Sequence, residues 1–137
     1  MGADFDLVIR DGHIVTPKGV VEGDLAITGG RIAEIGSNLG RAEHEISAEG
    51  KYVMPGGVDV HAHIEQMSGM GLMNADTFET ATRSAAMGGT TSVISFAAQA
   101  VGQQLSQTLS DYAARAKRGA MIDYALPYPY RPERSVL

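Results

Sequence analysis

The residues best equipped for chemistry lie in one run, Pro55-Gly56-Gly57-Val58-Asp59-Val60-His61-Ala62-His63. Residues two apart on an extended strand share a face. Asp59, His61 and His63 are therefore expected to point one way, and Val58, Val60, Ala62 and Ile64 the other. Two imidazoles on one face, roughly 7 Å apart along the strand, can converge on a single metal ion, and neutral imidazole suits zinc, iron or nickel. An acidic neighbour such as Asp59 can fix a ring tautomer or support the ligands from behind. A bare His-x-His is a weak signal, because such pairs are more often hydrogen-bonded core or surface residues. The surrounding order is rarer: Pro-Gly-Gly, an apolar strand, an aspartate, the pair, and then alternating strands and helices. The chain has no cysteine, so thiolate metal sites and disulfides are excluded. A metal here needs histidine, carboxylate or a modified side chain.

The elements that must position this pair follow from pattern. Residues 1–54 read as a small β module. A strand from Phe5 to Arg10 ends at Asp11-Gly12, a hairpin signal, and returns from His13 to Thr16. Pro17-Lys18-Gly19 turns the chain into Val20–Ile27, and Gly29-Gly30 turns it again into Arg31–Ile35. Glu45–Ala48 and Lys51–Met54 are weaker strands. Short strands with Gly-rich turns predict a small sandwich or open barrel. Residues 55–125 change character. Val58–Ile64 is a strand, and a helix capped by Asn74 or Asp76 runs to about Met87, with Gly88 as its left-handed stop. Thr90–Phe96 is a β-branched strand. Gln103 to about Arg118 is a helix with Leu105, Leu109, Tyr112 and Ala116 on one side, and Met121–Ala125 begins a third strand. This is the order of parallel β/α units, and the His pair falls at a strand's carboxyl end, where β/α barrels place their active sites. Residues 126–137 form an irregular Pro-rich tail, since proline cannot serve a central ladder.

Bulk properties bound the function. With 137 residues the chain is one ordinary domain in size. A net charge of -5 argues against nucleic acid and anionic membranes as partners. No basic region precedes an apolar core at the start, so a secretory signal is not expected, and the default compartment is the cytoplasm. Plainer roles suffice for several other residues. His13 and His44 read as surface groups, and Glu65 and Gln66 as solvated loop residues or site-lining ones. Met67, Met70 and Met73 read as gap-fillers or a flap near an apolar substrate. Arg115, Lys117 and Arg118 read as a solvated basic turn, and Phe78 with Ala81, Ala85 and Ala86 as a core stripe.

The opening Asp6-Leu7-Val8-Ile9-Arg10-Asp11-Gly12, the later Gly30-Arg31-Ile32 and the Pro55–His63 run resemble the amidohydrolase superfamily. His63-Ile64-Glu65-Gln66, the stretch from Ala75-Asp76-Thr77-Phe78 to Gly88-Gly89-Thr90-Thr91, Asp111-Tyr112 and Ile122-Asp123-Tyr124 are similar, more narrowly, to dihydropyrimidinases and hydantoinases. The resemblance covers about residues 5 to 125. It implies a (β/α)8 barrel with a small β domain built from both chain ends. It implies a homotetramer, and a binuclear centre of zinc (manganese or iron as alternatives) whose hydroxide opens a cyclic amide. His61 and His63 match the pair that binds one metal, and Asp59 the acidic position two before it, here a supporting group. The bridging carboxylated lysine, two further histidines and the catalytic aspartate of the family have no counterpart in this chain.

A full β/α barrel takes about 250 residues, and only three of its strands are expected here. The chain is therefore expected to be a truncated fragment that binds metal weakly and hydrolyses nothing measurable. Its open sheet edges predict poor solubility or assembly with other chains. Shifting the frame by one base across Leu126–Pro132 permits codons for an apolar strand, so a frameshift is the expected origin of the prolines. The competing expectation is a non-catalytic scaffold that completes its sheet with another chain.

Overall fold

The computed structural model describes residues 2–100 and 102–127. Contacts divide the chain into Met1–Pro55 and Gly56–Leu137.

The first unit is a five-stranded mixed sheet in the order β3-β2-β1-β4, with β5 beside β1: β1 is Phe5–Thr16, β2 Gly19–Thr28, β3 Arg31–Gly36, β4 Ala42–Ser47 and β5 Tyr52–Val53. The central strand departs from the sequence reading. No hairpin forms at Asp11-Gly12, and β1 runs straight through it. Ile9 pairs with Leu25 and Gly12 with Gly23, so Arg10 and Asp11 together oppose Asp24 alone. This is a β-bulge, and Asp11 takes the left-handed conformation (φ 57°) for which Asp-Gly had suggested a turn. An unbroken β1 can pair in parallel with β4 along its first half and with β5 along its second. The described strands of this unit thus form one hydrogen-bonded sheet rather than two stacked ones. The Gly29-Gly30 turn is as expected, with both φ positive (59° and 72°), the twist that suits a two-residue hairpin. The core is Val8, Ile14, Leu25, Ala26 and Ala48.

One ionic knot holds the bulge. The Asp24 carboxylate accepts from Arg10 Nη1 (3.0 Å), the Asp11 amide (3.0 Å) and the Leu39 amide (3.2 Å). Arg10 also donates to the carbonyls of Leu39 and Gly40 and to Glu45 Oε1. Burial alone would raise the Asp24 carboxyl, but the Asp11 amide, the Arg10 guanidinium and the Leu39 amide together hold it below the ordinary carboxylate range. Arg10 lowers Glu45 in the same way.

The second unit follows the expected alternation: β6 Gly57–Ala62, α1 Phe78–Met87, β7 Thr90–Ser95, α2 Leu105–Gly119 and β8 Asp123–Ala125. The strands form a parallel sheet, β6-β7-β8. Thr77, not Asn74 or Asp76, caps α1: its hydroxyl accepts from the Thr80 amide while the Thr80 hydroxyl accepts from the Thr77 amide. Gly88 is not left-handed (φ -88°), and the positive φ falls one residue later, on Gly89 (86°). On α2 the buried face is Thr108, Tyr112 and Ala116, while Leu105 is exposed. Thr108 can be buried because its hydroxyl reaches the Gln104 carbonyl. The core joins Ile64, Phe78, Val93, Ala97, Tyr112 and Ala116. Buried Thr82 donates to the Phe78 carbonyl and accepts from the Met121 amide, tying α1 to the approach of β8.

Of the Pro-rich tail, Leu126 packs against this core, while residues 128–137 lie outside the described residues. Among the described residues no helix is long and apolar enough to cross a membrane.

Candidate metal centre

The end of β6 is irregular in a way the strand pattern did not foretell. Gly57 pairs with Thr90 but Val58 with Ser92, and Asp59 with Val93 but Ala62 with Ser95. Thr91 is thus an extra residue on β7, and Val60 and His61 together oppose Ile94. The second irregularity breaks the strict alternation at the pair itself. Ala62 and Ile64 face the core with Val93, while Val58 and Val60, expected on that same face, are exposed.

Two contacts fasten the chain on either side of His63. The Ala62 carbonyl accepts from the Phe96 amide (2.9 Å), and the Ile64 amide donates to buried Ser95 Oγ (3.3 Å). Between these anchors the His63 ring lies over Phe96, centroids 5.6 Å apart and nearly parallel, while the His61 ring tilts against the same phenyl at 4.6 Å. The two imidazoles present Nε2 to Nε2 at 3.3 Å, and both side chains are exposed. His63 Nδ1 meets Gln66 Oε1 at 3.0 Å.

Asp59 meets the pair through the backbone. Its carboxylate accepts from the backbone amide of His61 (2.9 Å), and the residue lines a cleft of about 440 Å³ with His63, Ala81, Ala85 and Thr90. It shapes the strand on which His61 rides.

Glu65, read from sequence as either a site-lining or a solvated loop residue, joins three elements. It holds a left-handed backbone (φ 48°). Its carboxylate accepts from the first amide of α1, Phe78, and pairs with Arg118 of α2 at 3.1 Å. Its carbonyl accepts from Arg115 Nη1 (2.8 Å). A negative group at a helix start and a cation in a helix's last turn are both favoured by the helix dipole. Arg115 and Arg118 are therefore not merely a solvated turn. Beyond Glu65 the chain forms a small hairpin: Gln66 and Asn74 exchange hydrogen bonds, and Met67 bridges Met73. Met67, Met70 and Met73 are exposed, so they fill no core gap.

The geometry fits a metal in one specific respect. Two nitrogens bound to tetrahedral zinc at about 2.0–2.1 Å stand about 3.3 Å apart, which is the separation of the two Nε2 atoms. Among the described residues, however, no group of three or more His, Asp or Glu gathers to hold a metal. The pair is a partial ligand set.

A β module followed by parallel β/α units, with His-x-His at the carboxyl end of the first parallel strand, defines the class. Comparison with known proteins narrows it. The D-hydantoinase of Ralstonia pickettii is 44% identical over 120 residues, which are 88% of this chain and 26% of that protein. The allantoinase of Salmonella paratyphi B is 42% identical over 90 residues, 66% of this chain and 19% of that protein. The crystal structure of dihydropyrimidinase from Brevibacillus agri superposes with a TM-score of 0.84 at 33% identity, covering 93% of this chain and 28% of that one. No family model matches. The chain is homologous to the amino-terminal portion of the dihydropyrimidinases and hydantoinases, cyclic amidases of the amidohydrolase superfamily. It spans about a quarter of the length of the curated relatives it matches.

Proposed function

We propose that this chain carries the first metal-binding strand of a cyclic-amide hydrolase, with His61 and His63 as ligands to zinc. The observation that carries the reading is the 3.3 Å Nε2–Nε2 separation at the carboxyl end of β6 in a chain homologous to hydantoinases. A metal there would lower the pKa of a bound water and polarise the amide carbonyl. The chain's own part is to hold two imidazoles against Phe96, with Asp59 bracing the His61 backbone. The barrel, the second metal and the homotetramer rest on kinship with the relatives. So does the substrate class, a dihydropyrimidine, hydantoin or allantoin-like ring.

Two imidazoles fall short of the three protein ligands usual in catalytic zinc sites. The chain as it stands is therefore expected to bind zinc weakly and to leave hydantoin, dihydrouracil and allantoin unopened. Zinc titration followed by the His61 and His63 ring resonances tests this, with His61→Ala expected to abolish the response. Zinc that leaves both rings unmoved would defeat the reading. The lack of a third gathered ligand among the described residues favours one alternative, a non-catalytic scaffold or assembly partner. A stable complex with a full-length relative, without metal response or turnover, would support it.

A further inference from the structure

We infer that Gln66 is a positioning residue for the metal pair. Through its side-chain carbonyl it sets the tautomer of His63, and through His63 that of His61. The inference rests on the zinc reading above. A neutral imidazole has one N–H donor and one bare acceptor nitrogen. Gln66 Oε1 can only accept, so the 3.0 Å contact requires the hydrogen on His63 Nδ1. That leaves the His63 Nε2 lone pair bare and facing His61. The 3.3 Å contact between the two Nε2 atoms then needs its hydrogen on His61. The metal-free pair is an N–H···N bridge of defined polarity; a metal ion held between the two Nε2 atoms would displace that hydrogen from His61 Nε2, and the neutral His61 ring would then carry it on Nδ1.

The backbone of Gln66 is itself held in place. Its main-chain N–H donates to Asn74 Oδ1 (2.8 Å), and its main-chain carbonyl accepts from the Asn74 amide (2.9 Å). One residue earlier, Glu65 is fixed at left-handed φ by Arg115, Arg118 and the first amide of α1. The segment from His63 to Gln66 is thus anchored at Ile64 by the core, at Glu65 by two helices and at Gln66 by Asn74. Partners of this kind behind a ligating imidazole are worth about ten- to a hundredfold in metal affinity.

The test is long-range ¹H–¹⁵N correlation of the ¹⁵N-labelled full chain at a pH of about 8.5, where free imidazoles are neutral, followed by titration with zinc alone. In the metal-free wild type, His63 should show a protonated Nδ1 and a bare Nε2, and His61 a protonated Nε2. Gln66→Leu should mix the His63 tautomers and weaken zinc binding about ten- to a hundredfold. Gln66→Glu, whose carboxylate can accept the same hydrogen, should restore both. Circular dichroism of each variant separates this from loss of fold, and Gln66→Glu carries the test if the leucine variant does not fold. Wild-type His63 protonated at Nε2, or zinc affinity unchanged in Gln66→Leu, overturns the role of Gln66 while leaving the zinc pair standing. A wild type that does not bind zinc overturns both.

Discussion

At the residue scale, Asp24 makes a prediction with a definite sign. Its folded-state pKa is held down. The stability it contributes is therefore complete above the unfolded carboxyl value of about 3.9 and is lost as pH falls through the lower folded value. Asp24→Asn should cost about 2 kcal/mol at pH 7, since hydrogen bonds to a charged group are lost. The gap to wild type in urea midpoint should begin to narrow below about pH 4 and close as pH falls through the lower folded value. A gap that stays constant into acid would mean that the carboxylate's charge is not what stabilises the bulge. The sequence contained Asp24 and Arg10 but no sign that they meet, because their contact spans a bulge that reads locally as a turn. His61 and His63 were legible, being two letters apart on one strand. Gln66 stood out only as a residue beside the pair. The parts that Ser95, Phe96 and Asn74 play around the pair could not be seen, because each acts from a separate stretch of chain.

At the element scale, β6 and β7 fit together through a single missing side chain. Thr91 is the extra residue on β7, and its side chain occupies the space where any Cβ on Gly56 would lie. Gly56→Ala should destabilise the chain by about 1–3 kcal/mol, the cost of overpacking. Thr91→Gly added to it should recover most of that loss. The double-mutant cycle in urea measures the coupling, and a Gly56→Ala cost that is equal in both backgrounds would refute the contact. The order of elements in this unit was readable from pattern, since β-branched Thr90–Ser95 and the amphipathic α1 and α2 announce themselves. Their details were not. The cap moved to Thr77 because Thr80 answers it, and Thr108 replaced Leu105 in the buried stripe because its hydroxyl finds a carbonyl one turn back. In the first unit, Asp11-Gly12 misled for a physical reason: the left-handed conformation that makes the pair good in a hairpin serves a bulge equally well.

At the scale of the whole chain, two cores are built from aliphatic and aromatic side chains, and among the described residues no methionine is buried in either. Met54, Met67, Met70, Met73, Met87 and Met121 are each more than half exposed, and there is no thiol anywhere in the sequence. Peroxide would therefore find every described methionine on an exposed surface. Conversion of methionine to sulfoxide adds a polar oxygen, which ruins a packed interior but changes little on a surface. Mild oxidation followed by peptide mapping should find all six of these thioethers modified, while the circular dichroism spectrum keeps its shape. Oxidative damage to this chain would then be written on its outside, readable by mass and largely without consequence for its fold.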